Sequence, residues 1–200
     1  MASRLGPDCR RSMNFFLKWL PILSVIAIYT ARVIELGTKR NTIRGSIREN
    51  LTLRLFIAVG TLIFFSSIIE YFLGRHGVIS WPMFILGWIC GIASFAIRRR
   101  AIAALGRFWS LHVEIRDEHE FVRSGPFRFV RHPAYFSMIL ELLALALICG
   151  AVWSLLAIPF LFLPVLFMRV RYEEAALIAK FGDAYREYQR STPALFPRAW

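Results

Sequence analysis

Long apolar runs separated by short polar segments dominate the chain. Residues 15–34, 51–73 and 79–97 each provide the roughly 20 mostly apolar residues that a membrane-spanning helix needs. A fourth run, residues 134–168, is too long for one such helix and suits a hairpin of two, with its turn at Gly150. Pro159 and Pro164 are expected to kink the returning helix. The pattern predicts an all-α, polytopic membrane protein with about five transmembrane helices.

Composition and charge narrow the class further. Hydrophobic residues make up 57% of the chain and its mean hydropathy is +0.52, which is typical of a membrane protein. The net charge of +12 does not predict nucleic-acid binding, because the arginines lie beside apolar runs, as in residues 98–100, where they meet anionic lipid headgroups. Cys90 and Cys149 lie inside apolar runs without metal-ligand spacing, so no metal site is predicted.

The distribution of Lys and Arg predicts the orientation of the helices. The segments after the first and third apolar runs are rich in Lys and Arg. The segment after the second run has a single such residue, Arg75. With five spans, the C-terminal tail lies on the same, cytoplasmic side. We therefore expect an integral, multi-pass protein with a cytoplasmic C-terminus, in the cell inner membrane if the protein is bacterial.

The tail after the last apolar run is predicted to be an amphipathic helix. Its apolar side chains recur at steps of three and four residues, which places them on one helical face. Gly182 is expected to end or bend this helix. The residues of the apolar face are Ala176, Leu177, Phe181, Tyr185 and Tyr188.

Arg131, His132 and Pro133 stand directly before the fourth apolar run. Proline is favoured in the first helical turn, so His132 is predicted to be the N-cap residue. Two interpretations remain open: either Arg131 contacts a lipid phosphate while His132 caps the helix, or this end binds an anionic ligand group. In the second case, nearby aromatic faces would suit an adenine ring or a sulfonium cation. These rings belong to Phe127, Phe129 and Tyr135.

A second polar cluster, Arg169, Glu173 and Glu174, lies at the end of the hairpin. Arg169 and Glu173 share a helical face and can form a simple surface ion pair. Alternatively, two carboxylates at a membrane boundary bind a cationic ligand group. Because the hairpin returns the fifth span to the start of the fourth, we expect both clusters to line one pocket. A zwitterionic cofactor with a carboxylate, an ammonium, an adenosine and a sulfonium would fit that pocket.

These motifs, in their order and spacing, resemble the isoprenylcysteine carboxyl methyltransferase family. The resemblance covers residues 107–197, whereas residues 1–100 match only in being spanning helices. The matching positions are His119, Glu120, Phe121, Val122, Ser124, Gly125, Arg131, His132, Pro133, Ala134, Tyr135, Arg169, Glu173, Glu174, Phe181, Gly182, Asp183, Ala184, Tyr185 and Tyr188.

The resemblance implies an integral-membrane methyltransferase that uses S-adenosylmethionine. Residues 1–100 would be three N-terminal transmembrane helices, and residues 101–200 the methyltransferase core. Arg169, which would face the methyl acceptor, and Glu173 are the implied catalytic residues. The family usually has Tyr where this chain has Phe127. At this position the resemblance therefore implies a contact of the cofactor with the ring face and not with a hydroxyl. The implied cofactor-binding residues are His119, Glu120, Phe121, Val122, Gly125, Phe127, Arg131, His132, Pro133, Ala134, Tyr135, Glu173 and Glu174.

The expected acceptor is lipophilic and enters sideways from the lipid, with the carboxylate of an isoprenylcysteine-like substrate as the first candidate. Methyl transfer to a carboxylate is an in-line displacement that needs no strong base, so positioning and desolvation carry the catalysis. Glu141, two turns into the fourth span, either serves the acceptor tunnel or is hydrogen-bonded to a neighbouring helix.

Three other functions stay open at this point. A phospholipid amine methyltransferase shares the motifs around His132 and the paired glutamates, but an amine acceptor gives Arg169 no obvious partner. A sterol-type membrane reductase would use NADPH and needs further basic contacts for a ribose phosphate. A catalytically inert membrane scaffold would bind no nucleotide cofactor.

Overall fold

The computed structural model describes residues 7–38, 46–47, 51–74, 78–106, 114–115 and 122–196. A 3₁₀ turn covers Gly125–Arg128, and a π-helical turn covers Ile158–Phe162. Two short strands, β1 Ser46–Ile47 and β2 Glu114–Ile115, pair antiparallel. The α-helices in these ranges are α1 Pro7–Gly37, α2 Leu51–Leu73, α3 Trp81–Leu105, α4 Pro133–Cys149, α5 Val152–Ala157, α6 Leu163–Phe181 and α7 Asp183–Ser191.

Four helical segments are long and apolar enough to cross a membrane: Leu17–Glu35, Leu51–Leu73, Trp81–Leu105 and Val152–Phe181. The apolar helix α4 is shorter, with 17 residues. Large apolar side chains such as Leu62, Phe65 and Ile89 lie exposed on these helices, as expected for surfaces that face lipid. The prediction of an all-α, multi-pass membrane protein is confirmed, and these segments together with α4 agree with about five spans.

The third helix extends further than the apolar pattern indicates. Its predicted end was residue 97, but α3 continues to Leu105 because arginine is a good helix former and does not end a helix. Arg99 and Arg100 are exposed, whereas Arg98 is 1% exposed and packs inside the protein. The interpretation of this cluster as headgroup contacts is therefore wrong for Arg98.

The hairpin turns at Gly150, as predicted. This residue has φ of 61° in the left-handed region, and its N–H bonds to the carbonyls of Ala146 and Leu147 at the end of α4. The next helix, α5, is then capped by Glu70 of α2. The Glu70 carboxylate accepts the backbone N–H groups of Trp153 at 2.9 Å and Ser154 at 2.7 Å. An acid at this position satisfies the free N–H groups of a helix start and fixes α2 against the hairpin.

The returning helix changes its hydrogen-bond pattern where the sequence places proline. The π-helical turn Ile158–Phe162 contains Pro159 and joins α5 to α6. Because proline lacks an N–H group, a local π turn is a common way for a helix to accommodate it. The π turn thus contains one of the two prolines that were predicted to kink this helix, and the helix continues from it to Phe181.

Helices α3 and α4 pack closely at small residues. Gly87 and Gly91 of α3 are both buried. A Cβ atom at Gly87 would lie 2.7 Å from Cγ1 of Ile148 and 2.9 Å from the carbonyl oxygen of Ala144. Any larger side chain would therefore force the two backbones apart, as at the small-residue contacts typical of membrane helices. This contact fixes α4, whose first turn carries candidate site residues.

The tail forms two helices rather than one. Gly182 ends α6 with φ of 56°, and α7 begins directly after it, so the predicted break is confirmed. Tyr185 and Tyr188, on the apolar face of α7, are buried. The segment after α7 then runs beside the entrance to α4.

Candidate functional site

The entrance to α4 brings the first cluster into position. His132 is the N-cap residue and Pro133 opens the helix, as predicted, although the His132 side chain makes no cap hydrogen bond. The backbone N–H groups of Arg131 and His132 instead donate to the carbonyls of Pro193 and Ala194, both at 2.9 Å. The tail thus holds the chain in place just before α4 begins.

The two predicted clusters meet. His132 Nε2 lies 3.1 Å from Oε1 of Glu174, and its Nδ1 lies 3.9 Å from Oε2 of Glu173. Helix α4 and the second half of α6 are therefore adjacent at this end, as the hairpin argument predicted. Of the two interpretations of Arg131, the lipid-phosphate contact is not supported, because its guanidinium Nε donates to Glu174 Oε1 at 2.7 Å.

Glu174 is bonded through both carboxylate oxygens. Oε1 accepts Arg131 and contacts His132, while Oε2 accepts the Nε2 amide of Gln189 at 2.9 Å. Arg131 also donates from Nη1 to the backbone carbonyls of Gln189 and Thr192. The Glu174 side chain is only 14% exposed. Glu174 therefore joins α6 to the entrance of α4 and to the tail.

Glu173 has a different environment although it is the next residue. Its Oε2 accepts the phenol of Tyr135 at 2.7 Å, and its side chain is 32% exposed. Arg169 Nε donates to the same Tyr135 hydroxyl at 2.9 Å, and Arg169 Nη1 donates to Oγ1 of Thr52 at 3.3 Å. The Tyr135 hydroxyl thus connects the two predicted catalytic side chains, of which Arg169 is 1% exposed.

The tyrosines of α7 cover the other side of this arrangement. Tyr188 donates its hydroxyl to the carbonyl of Phe127, and the Arg123 guanidinium lies 5.5 Å from the Tyr188 ring centre. Burial raises the pKa of Tyr188 to about 12. Burial and the nearby carboxylates of Glu174 and Glu173 also raise the pKa of Tyr185. Both phenols therefore stay protonated at neutral pH.

The remaining predicted positions fall into two groups. Phe127 is buried, Val122 is half-buried, and Gly125 begins the 3₁₀ turn with φ of 60°. Pro133 is buried, and the carbonyl of Ala134 accepts the hydroxyl of Ser137 at 2.6 Å. The predicted positions His119, Glu120 and Phe121 lie outside the described residues.

Within the described ranges, no group of three or more His, Cys, Asp or Glu side chains is arranged to hold a metal ion.

A cavity of about 220 Å³ lies between the helices, and one of its wall residues, Phe56, contacts Tyr135. Its walls come from α1, α2, α4 and the π turn, and they include Leu53, next to Thr52 in the chain. The Phe56 ring, also in the wall, lies 6.3 Å from the Tyr135 ring and 4.7 Å from the Phe162 ring. This cavity is mostly apolar, and the Phe56 ring separates it from Tyr135 of the polar site.

The sequence interpretation missed Thr52, Phe56 and Arg32 as neighbours of this site. Thr52 and Phe56 look like ordinary residues of a spanning helix, so no signal in the sequence distinguishes them. Arg32 did carry a signal, since an arginine inside an expected span is a functional candidate by default. It lies in the cavity wall and forms a salt bridge with Glu141, whose interpretation as a residue bonded to a neighbouring helix is therefore confirmed.

Fold and site together define a class: a multi-pass helical membrane protein with a polar site where two helices of a hairpin meet, near an apolar cavity. Residues 86–179 match the model of the Isoprenylcysteine carboxyl methyltransferase (ICMT) family. This match covers just under half of the chain and agrees with the resemblance that the motifs carry.

Curated relatives are similar to about half of the chain. The cobalt-zinc-cadmium resistance protein CzcN of Cupriavidus metallidurans is 36% identical over 102 residues, which are 49% of this chain and 45% of that protein. The protein-S-isoprenylcysteine O-methyltransferase of Schizosaccharomyces pombe is 28% identical over 114 residues, 56% of this chain and 48% of that protein. The chain thus spans about half the length of these relatives.

The structural comparison supports the fold alone. A solved structure of the eukaryotic intramembrane Ras methyltransferase ICMT superimposes with a TM-score of 0.57 at 24% sequence identity. The match covers 76% of this chain and 54% of that chain. The helical arrangement is therefore shared well beyond the segment that the family model covers.

Proposed function

We propose that the protein is a membrane-embedded methyltransferase that moves a methyl group from S-adenosylmethionine to a lipophilic acceptor, with the carboxylate of an isoprenylcysteine-like molecule as the acceptor group. The observation that carries this proposal is the Tyr135 hydroxyl, which joins Glu173 on one side and Arg169 on the other. An anionic and a cationic side chain are thereby fixed side by side near an apolar cavity. The match to the ICMT family model supports the same reaction.

The residues present fit the proposed cofactor. Glu173 is partly exposed, so its carboxylate can accept further hydrogen bonds from the ammonium group of S-adenosylmethionine. His132 and Tyr135 form a stacked pair of rings, 5.6 Å apart, at the same place. When bound, the cofactor supplies an electrophilic methyl group on a sulfonium ion, and aromatic faces attract such cations. We further propose that Val122, Gly125 and Phe127, with the undescribed His119, Glu120 and Phe121, complete the cofactor site.

Arg131 and Glu174 are proposed to act on the cofactor site indirectly. Their mutual bond and the bond from Gln189 occupy both Glu174 oxygens. Glu174 would therefore hold the entrance of α4 and position His132, and contact with the cofactor would fall to Glu173. This proposal refines the sequence interpretation, in which both glutamates contact the cofactor.

Arg169 is proposed to hold the acceptor. Its guanidinium is buried, so a carboxylate bonded to it would be stripped of water, which strengthens the attraction and leaves the oxygen free of competing solvent. The acceptor loses its charge as the methyl arrives, so tight binding of the carboxylate would not by itself raise the rate. Arg169 therefore contributes by orientation. The apolar chain of the acceptor would lie in the nearby cavity.

The other proposed functions are not favoured. An amine acceptor would bring to the buried Arg169 either a second cation or a neutral amine whose single lone pair must stay free to attack the methyl group, whereas Arg169 offers only donors. The family match is to a methyltransferase and supports neither a reductase nor an inert scaffold. We propose residues 101–200 as the methyltransferase core, after three N-terminal transmembrane helices in residues 1–100. Arg169 of this core bonds Thr52 of α2.

Cofactor binding and methyl transfer test the proposed function. Purified protein in detergent should bind S-adenosylmethionine in a calorimetric titration and should not bind NADPH. It should also transfer label from methyl-labelled cofactor to N-acetyl-S-farnesylcysteine, detected by mass spectrometry. Absence of cofactor binding would reject a methyltransferase, and binding without transfer to this acceptor would reject the acceptor class alone.

The cytoplasmic position of the C-terminus is a separate proposal, supported by the Lys and Arg distribution. A single cysteine introduced by Ser191→Cys, in a chain whose own cysteines are replaced by serine, should react with an impermeant maleimide only after the cell membrane is opened. Labelling of intact cells would place the tail, and with it the site, on the opposite side.

A further inference from the structure

The cavity near the site has a polar patch in an otherwise apolar wall. Its lining includes Arg32 of α1 and Glu141 of α4, together with the hydroxyl-bearing Tyr29 and Thr61. Glu141 is 8% exposed and lies well inside the apolar helix α4. An acceptor chain made only of carbon and hydrogen would not require polar groups there, and buried charges in a membrane are costly.

Both hydrogen bonds to the Glu141 carboxylate go to one of its two oxygens. Arg32 Nη2 and Arg98 Nη2, the latter at 3.4 Å, both donate to Oε2. Among the described residues, Oε1 accepts no hydrogen bond. Arg32 also donates from Nη1 to Glu35 at 2.8 Å, so the four side chains carry two positive and two negative charges. The cluster is neutral, and one carboxylate oxygen in the cavity wall remains able to accept a hydrogen bond.

We propose that Oε1 of Glu141 binds a hydroxyl group on the acceptor, so that the acceptor is an amphiphile with a second polar group along its chain. This inference rests on the proposed function and identifies the acceptor more closely. A neutral cluster gives a hydroxyl donor its bond without attracting a free cation, because no net negative charge is left unpaired. The hydroxyls of Tyr29 and Thr61 extend the polar patch.

The fold sets where that hydroxyl must be. Glu141 lies six residues after Tyr135 in the regular helix α4, which corresponds to about 9 Å along the helix axis. The carboxylate of the acceptor would lie beside Arg169 and Tyr135. The hydroxyl would therefore be about 9 Å further along the chain.

A series of synthetic acceptors tests this inference. The probes are N-acetylcysteine thioethers of one straight chain length, with no hydroxyl, with a hydroxyl about 9 Å from the carboxylate, or with a hydroxyl at the chain end. Their dissociation constants are measured by calorimetry, and kcat/KM is measured where methyl transfer occurs. The mid-chain hydroxyl should tighten binding roughly tenfold, as one hydrogen bond to a charged group does, and the terminal hydroxyl should not.

Two variants locate the effect. Arg32→Leu combined with Glu141→Leu removes one charge of each sign, so the cluster stays neutral overall with Arg98 and Glu35 remaining, and should abolish the preference for the mid-chain hydroxyl. Glu35→Gln removes a carboxylate from the same cluster, outside the cavity wall, and should keep it. If the double variant does not fold, the positional series in the unmodified protein decides.

The outcomes separate this inference from the proposed function. Equal binding of all three probes, or a preference that survives in the double variant, would overturn the role of Glu141. A preference lost equally in Glu35→Gln would also overturn it, because the cluster would then act through the fold. Failure to bind S-adenosylmethionine in the same preparations would instead reject the methyltransferase, whatever the probes show.

Discussion

Replacing Arg169 with alanine is expected to lower kcat for methyl transfer by about a hundredfold or more, because a misplaced acceptor loses its alignment with the methyl group. The affinity for S-adenosylmethionine should change by no more than about threefold, since in the proposed arrangement Glu173 holds the cofactor. Steady-state kinetics and calorimetric titration of the same preparation measure both quantities. Arg171→Ala is the matched control, because Arg171 is an exposed arginine on the same helix.

A conservative variant distinguishes orientation from charge at this position. Arg169→Lys keeps the positive charge but loses the planar pair of donors, so its kcat should stay well below that of the unmodified protein. Arg169 is buried and bonds Thr52, so thermal unfolding in detergent must accompany each assay. Equal losses of kcat and cofactor affinity in a folded Arg169→Ala protein would contradict the role in acceptor binding.

The neighbouring glutamates should respond in opposite ways to the same substitution. Glu173→Gln is expected to weaken S-adenosylmethionine binding about tenfold, the effect of losing a charge-assisted hydrogen bond, with little change in the unfolding temperature. Glu174→Gln is expected to destabilise the protein by about 3 kcal/mol, because Arg131 would lose its largely buried partner. Calorimetry and thermal unfolding of the two variants provide the comparison.

Each member of this pair serves as the other's control, since they differ by one position on α6. A Glu174→Gln protein with unchanged stability and weakened cofactor binding would assign direct contact to Glu174. A Glu173→Gln protein that unfolds early while binding the cofactor normally would reverse both roles. Either result would show that the cofactor does not bind at the exposed carboxylate of Glu173.

The helices and their main breaks could be predicted because they depend on local sequence. Apolar length sets the spans, Gly150 and Gly182 adopt positive φ at two helix ends, and Pro159 lies in the π turn. The meeting of His132 with Glu174 also followed from connectivity, since a tight hairpin must bring these ends together.

The remaining contacts depend on how distant helices rotate and pack, which apolar periodicity does not specify in helices that are apolar all round. Arg98 looks like its exposed neighbours in the sequence and differs only because α3 turns it toward Ser137 and Glu141. Thr52 lies 117 positions from Arg169, and no local pattern connects them. The tyrosine hydroxyl between Arg169 and Glu173 was missed because helical spacing relates only residues on one helix.

The backbone bonds from Arg131 and His132 to Pro193 and Ala194 make the candidate site depend on a segment that follows every membrane span in the chain. The amide groups that precede α4 can meet these carbonyl partners only after Ala194 has emerged from the ribosome. We therefore expect the candidate site to be completed later in synthesis than the spans that carry most of its side chains.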